Sequence, residues 1–330
     1  MLTFQSMKIL NVYVAHPTVK DISSFIECFH FEDLTNKYEF RWDVDSPDYL
    51  FATEHIYRDK ECFTRFKKYY NKSKIRIFSG GEAVYCDWNI FDYGTGFDGD
   101  TQIGNRFIQF PSPNNLFDSF IFKKENSIKN IEEAYQILKT KNKFCNFLYS
   151  NPNAHPMRDK LFYNLSEYKR VDSLGKHLNN VNTKGTGYLG HHKDCVTLKE
   201  PYKFSIACEN ASFPGYTSEK IFTSFQAHTI PIYFGNPLIK KDINEKAIIN
   251  CNDYTSVDEV ISKIKEIDNS DELWCEMISQ PWQTKEQEEN MINRDKQYLK
   301  FFDNLFSKDI KDCKVLPEGT FNDLPKMVFR

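Results

Sequence analysis

The chain has 330 residues, enough for two domains with full cores. Its 40% hydrophobic and 15% aromatic content excludes a disordered chain, and a formal net charge of −3 gives no support for nucleic acid as a partner, leaving room only for a local basic cleft. The nine cysteines, none closer than Cys195 and Cys208, form no C-x-x-C pair and no disulfide-type spacing, so reduced thiols in a cytosolic protein are expected. No stretch approaches the ~18 apolar residues of a membrane span, and MLTFQSMKILNVYVA lacks the basic region and long apolar core of a signal peptide.

In chain order, Lys8–Ala15, Tyr49–Thr53, Ile75–Ser79, Asp92–Thr95 and Arg106–Phe110 read as short strands. Ile128–Leu138 places Ile131, Ala134, Tyr135 and Leu138 at three-and-four spacing, the mark of a helix, and Phe144–Tyr149 opens a second half with a new strand. Alternating helices and strands predict a mostly parallel sheet in each half. The Asn- and Pro-rich run Ser150–Pro156 reads as the boundary, giving domains at 1–152 and 153–282. Ser256–Ile267 carries a helical stripe of Val257, Val260, Ile261, Ile264 and Ile267. Gln283–Phe306 reads as a long amphipathic helix with Met291, Tyr298, Phe302 and Leu305 on one face; with the tail it makes a third segment, 283–330. The tail from Ser307 mixes lysines with Leu316, Phe321 and Val328. That pattern is compatible with peripheral contact at a membrane surface, but its weakness favours a solvated tail.

The segment Tyr202–Gly235, YKFSIACENASFPGYTSEKIFTSFQAHTIPIYFG, is the most telling. Phe204–Cys208 and Thr229–Phe234 read as buried parallel strands, with a polar loop and a helix between them; Thr217 or Ser218 can cap that helix. Open α/β sheets bind ligands at such loops, beyond the carboxyl ends of strands. Lys220 falls in the first helical turn, where a cation opposes the helix dipole, so an anion is expected there. Glu82 follows Gly80 and Gly81 at a strand end, where a carboxylate can take a proton as a general base or simply sit in solvent.

These residues also carry a family resemblance. Glu209-Asn210, then Tyr216, then Glu219-Lys220, followed by His228–Gly235 (HTIPIYFG), closely resemble the donor-site signature of the α1,3-fucosyltransferases, glycosyltransferase family 10. RIFSGGE (Arg76–Glu82) with NIFDYGTGFD (Asn89–Asp98) is similar to that family's acceptor-side motif, and NFLYSNPNAHPMR (Asn146–Arg158) to the stretch with its donor-binding arginine. The matches cover most of positions 74–240. The resemblance implies a GT-B fold, an α/β architecture of two Rossmann-like domains facing across a cleft, with a C-terminal helix crossing back to the first domain. It implies Glu82 as base, Arg158 and Lys220 on the phosphates of GDP, Glu219 on the ribose hydroxyls, and Asn210 and Tyr216 in the donor site. On the residues alone, the alternatives are an exposed helical Arg158, a turn Asn210, a core-facing Tyr216 and a Glu219 that merely suits a helix start. Glu209 could serve the site or orient the loop.

The implied reaction moves L-fucose from GDP-β-L-fucose, with inversion, to O3 of N-acetylglucosamine in lactosamine-type glycans such as Lewis-type structures or lipopolysaccharide. The alternatives are another nucleotide-sugar donor, or α1,4 linkage on type 1 acceptors. The partners are then GDP-fucose and a glycan, not nucleic acid, and the enzyme resembles the bacterial type without an N-terminal span, cytoplasmic or peripheral at the inner face of the membrane. No metal site and no required cofactor are expected, although stimulation by Mn²⁺ is compatible with this reading. D43-V-D45 and D98-G-D100 mimic a metal-binding D-x-D but read better as turns, and H191-H-K-D194-C195 reads as a surface loop because adjacent ligands lack zinc spacing.

Overall fold

A computed structural model of the protein describes residues 7–100, 104–111, 126–181 and 192–316. The chain divides into two compact units, 1–112 with 292–330, and 113–291. In the first, the apolar runs return parallel to one another because helices or loops carry the chain back between them. The order along the chain is β1 (Lys8–Ala15), α1 (Ile22–Phe29), β2 (Tyr38–Trp42), β3 (Tyr49–Thr53), α2 (Lys60–Tyr70), β4 (Ile75–Gly80), β5 (Tyr93–Gly96) and β6 (Phe107–Gln109). The sheet runs β2-β1-β3-β4-β5-β6, with Val12 opposite Tyr49 and Tyr49 opposite Ile75. β3 and β4 are buried along their whole length, as strands covered on both faces must be.

The second unit contains α3 (Ile131–Leu138), β7 (Lys143–Phe147), α4 (Met157–Tyr168), β8 (Val171–Ser173), α5 (His192–Lys199), β9 (Tyr202–Cys208), α6 (Glu219–Gln226), β10 (Ile230–Phe234), β11 (Ile249–Asn250), α7 (Val257–Asp268) and α8 (Asp271–Ile278). Its parallel sheet runs β11-β10-β9-β7-β8. The expected stripe on α7 is buried, from Val257 to Ile267, against a core that includes Phe204, Ile206, Ile230 and Trp274. Both sheets have a topological switch point, β1/β3 in the first and β7/β9 in the second, and the crevice beyond the carboxyl ends of such strands is where this class of sheet takes ligands.

The helix α9 (Lys285–Ser307) carries the chain out of the second unit. Met291, Tyr298, Phe302 and Leu305 are all buried, on the face that the spacing predicts. In the first unit Phe302 and Phe306 pack on Phe31, Tyr298 donates to the Phe29 carbonyl at 3.1 Å, and the Tyr38 hydroxyl reaches Asp303 at 2.8 Å. A short helix, α10 (Ile310–Cys313), follows.

Several expectations need correction. The division of the chain comes before 152: β7 pairs with β8 and β9, so the Asn/Pro-rich loop follows the first strand of the second unit rather than separating the units. The helix expected from Ile128 begins at Ile131, because the Asn130 side chain accepts the Glu133 amide at 2.9 Å and so starts it there. The tail is not solvated as far as 316. Buried Arg76 and Asp92 pair at 2.9 Å, the other Asp92 oxygen accepts the Val315 and Leu316 amides at 3.1 and 2.7 Å, and Arg76 donates to the Leu316 carbonyl. Residues 317–330, with the rest of the expected tail, lie outside the described residues. Among the described residues no helix is long and apolar enough to cross a membrane.

Candidate active site

Two loops at the β7/β9 switch point build the donor side. After β7, Pro156 starts α4 and places Arg158 in its first turn. Arg158 is 1% exposed, not the surface arginine its local sequence allows. Its guanidinium lies 4.4 Å over the Tyr149 ring, and Nη2 donates to the Asn151 carbonyl at 2.7 Å. Nε and Nη1 are buried without a hydrogen-bond partner. The neighbouring Asp159 carboxylate is 3.6 Å from Nε, and both its oxygens lie 2.9 Å from His177 Nε2. Buried cationic donors left open cost stability unless a ligand meets them. The loop is tied to its neighbour, since the His155 amide donates to the Asn210 carbonyl at 2.8 Å.

After β9 comes Glu209, fully buried. One oxygen accepts the Ser218 amide at 2.7 Å and the other the Ser218 hydroxyl at 2.6 Å, so Ser218 spends its hydroxyl on Glu209 and makes no side-chain cap on α6. A Cβ on Gly235 would come within 2.4 Å of Glu209 Cγ, so glycine is required where β10 ends against this carboxylate. Asn236, also buried, accepts the Gly215 and Leu238 amides and donates to Thr217, fixing the turn in which Gly215 takes φ +84°. Tyr216 follows it, 3% exposed. Lys220 extends from α6 to Ser218 Oγ at 2.8 Å, Glu219 Oε1 at 3.2 Å and Glu209 Oε2 at 3.4 Å. Burial alone would lower the Lys220 pKa, but Glu219 and Glu209 outweigh it and hold it above the ordinary value. Burial raises the Glu209 carboxyl, with Lys220 pulling against it. The unpaired cation expected at this helix start is thus matched by two carboxylates, and Glu209 orients the loop.

Behind α6 lies a residue that the sequence reading missed. Lys199 is buried, and its ammonium donates to Thr223 Oγ1, Ser224 Oγ and the Lys220 carbonyl at 2.8, 3.1 and 3.2 Å. Burial lowers its pKa to about 8. From Ser224 the bonds continue through Ser205 to Asn146, linking α6 to β9 and β7. A lone lysine at the end of a short helix gives no sequence signal for this.

In the first unit Glu82 lies in the turn after β4, with its side chain 34% exposed. Around it the ends of β1 and β3 supply His16, Glu54, His55 and Arg58, none of them anticipated from sequence. Arg58 Nη1 is 3.7 Å from Glu82 Oε1. The His16 and His55 rings meet edge to face at 4.8 Å. Burial, helped by His55 and Arg65, lowers His16 to about 4, and burial lowers His55 as well, with Glu54 pulling against it. The one available signal was position: each residue follows a predicted strand.

Arg158, Asn210, Tyr216, Glu219 and Lys220 therefore share the second unit's switch point, and Glu82 belongs to the first unit. The D-x-D pairs behave as turns: Asp43 Oδ1 accepts the Asp45 and Ser46 amides, and Asp98 Oδ1 accepts the Asp100 amide. The segment expected as a surface loop is helical from His192, while His191 lies outside the described residues. Among the described residues, no three His, Cys, Asp or Glu side chains are grouped to hold a metal ion.

The family model described as glycosyltransferase family 10 (fucosyltransferase) C-term matches residues 138–317. An α-(1,3)-fucosyltransferase, FucT, of Helicobacter pylori is 28% identical over 261 residues, 71% of this chain and 51% of that one. A protein of Acanthamoeba polyphaga mimivirus is 35% identical over 171 residues, 50% of this chain and 28% of that one. The chain thus spans about half or less of the length of these relatives. Among solved structures, an α1,3-fucosyltransferase with GDP-fucose superposes with TM-score 0.68 at 22% identity over 94% of each chain, and an α1,3-fucosyltransferase without a named ligand with 0.70 at 24% over 93%. The fold is that of these GT-B enzymes.

Proposed function

Because the chain belongs to glycosyltransferase family 10, the fucosyltransferases, we propose that it transfers L-fucose from GDP-β-L-fucose to O3 of N-acetylglucosamine in a lactosamine-type glycan, with inversion at the fucose anomeric carbon. The observation that carries the reading is Arg158: a buried guanidinium with two open donors at a switch-point crevice suits a diphosphate. The amides at the start of α6 add to the positive field there, and the Lys220 ammonium, already paired with Glu209 and Glu219, would meet the diphosphate as a shared donor rather than as a free cation. Glu219, half-buried at the helix start, would accept ribose hydroxyls in this reading, while Asn210 and Tyr216 belong to the loop that would hold the nucleotide.

In this reading Glu82 takes the proton from the acceptor O3 hydroxyl as the oxygen attacks. The bond from fucose to the β-phosphate breaks on the opposite face, and GDP leaves with its charge met by Arg158 and Lys220. With that charge offset by side chains and a helix N-terminus, we propose that divalent metal is dispensable, Mn²⁺ stimulation remaining compatible. The natural acceptor is proposed as a Lewis-type chain of a lipopolysaccharide or related glycan. A donor panel tests the reading: GDP-fucose, GDP-mannose, UDP-galactose and UDP-N-acetylglucosamine are each incubated with lactosamine, lacto-N-biose and lactose. Turnover of GDP-fucose on lactosamine is expected; turnover of another donor in its place overturns the assignment.

A further inference from the structure

Glu82 does not stand alone beyond the carboxyl end of β4. The residue before it, Gly81, donates its amide to Glu54 Oε2 at 2.9 Å, and the Glu82 carbonyl accepts the Val84 amide at 2.8 Å. Glu54 is 3% exposed, and a carboxylate buried to that degree must be bonded on both oxygens. The other oxygen, Oε1, faces Arg58 Nη2 at 3.4 Å and His55 Nδ1 at 3.5 Å. Arg58 Nη2 also lies 3.1 Å from His55 Nε2. A guanidinium can only donate, so Nε2 accepts, and the ring hydrogen sits on Nδ1, within 3.0 Å of Thr53 Oγ1. One edge of the Arg58 fork is therefore held by Glu54 and His55, and Nη1 is turned to Glu82 at 3.7 Å.

We propose that Arg58, anchored by buried Glu54, is a positioning residue that fixes the Glu82 carboxylate for the transfer reaction. The proposal rests on the reading of Glu82 as the base. Glu54 holds the loop at Gly81 and holds the arginine that meets the Glu82 side chain, so backbone and carboxylate are set from one buried point. Stability does not account for the approach of Arg58 to Glu82. Arg58 is 46% exposed, and an ion pair that open to water contributes little to folding. A displacement of about 1 Å at a reacting group costs on the order of 10²-fold in rate.

The test is a double-mutant cycle with Arg58→Met, Arg58→Lys, Glu82→Gln and the double variant Arg58→Met with Glu82→Gln, followed by transfer of labelled fucose to lactosamine. Arg58→Met is expected to lower kcat roughly 10- to 100-fold, with KM for GDP-fucose within about twofold of wild type. Arg58→Lys, which restores the charge but not the fork, is expected to recover only part of that loss. In the Glu82→Gln background, Arg58→Met is expected to add nothing, because its partner is already gone. An equal loss in both backgrounds shows that Arg58 acts elsewhere and overturns the proposal, as does a wild-type rate for Arg58→Met. Transfer at wild-type rate by Glu82→Gln alone removes the base, and this proposal with it, and that result is read from a separate variant.

Discussion

Replacing Arg158 with methionine separates binding from folding, because binding falls steeply while stability changes little. Nε and Nη1 are buried and open. If they bond a diphosphate, each charge-assisted bond is worth roughly 1.5–3 kcal/mol, so the pair supplies about 3–6 kcal/mol. Lys220 and the α6 amides stay in place and compensate in part, which favours the lower end. A loss of about 3 kcal/mol weakens GDP binding on the order of 10²-fold. In the free protein the same change removes two open buried donors, each costing roughly 1–3 kcal/mol. Against that it gives up the charge-assisted Asn151 bond, roughly 1.5–3 kcal/mol, the stack on Tyr149, about 0.5–2 kcal/mol, and the approach of Nε to Asp159 at 3.6 Å. Gains and losses nearly cancel, so the melting temperature of the free variant is expected to stay close to that of wild type. Calorimetric titration with GDP and a thermal melt without ligand read both quantities on one sample. GDP affinity within twofold of wild type refutes the donor-site reasoning. Lys220→Ala is a less direct probe, since it strands the buried Glu209 carboxylate and destabilises the loop as well.

Other outcomes follow from the same geometry. Glu219→Gln is expected to weaken GDP binding through the ribose, and Glu219→Ala more so; a change of stability alone, about 0.3–1 kcal/mol from the helix start, with unchanged GDP affinity, argues against the ribose role. Transfer is expected to survive EDTA, measured as GDP release over a full turnover; complete loss restored by metal contradicts the proposed charge balance. His16 is held neutral in the fold with its pKa depressed to about 4, against an ordinary value near 6.5. Its contribution to stability is thus fully present above pH ~6.5 and is lost as pH falls through about 4. Urea midpoints across that window should drop less for His16→Gln than for wild type, and an identical drop refutes the assignment.

The strands and the long helix were legible because burial imposes a period. β1 and β3 end where the apolar runs end, and the α9 stripe lies on the face that its spacing gives. The donor loop was legible because Gly215, Ser218, Glu219 and Gly235 punctuate it. What the sequence did not show are contacts made across space. Arg158 looks like any helical arginine until Tyr149 and Asn151 enclose it. Lys199 has no pattern that announces three acceptors from a helix behind it. Arg76 and Asp92, inside the acceptor-side motif, clamp residues 315–316, so part of that motif is structural. The short elements α1, α2 and β2 were missed, although Asp21 and Ser24 at the start of α1 form a capping box that could have been read.

The most direct measurement is NMR analysis of the product of GDP-β-L-fucose and N-acetyllactosamine, with wild-type protein and with Glu82→Gln. The account predicts an α-linked fucose on O3 of the N-acetylglucosamine from wild type. From Glu82→Gln it predicts the same product at a rate lower by about 10²-fold or more, with GDP affinity unchanged. A β-linked product, no fucosylated product from folded wild-type protein, or a near wild-type rate from Glu82→Gln would contradict it.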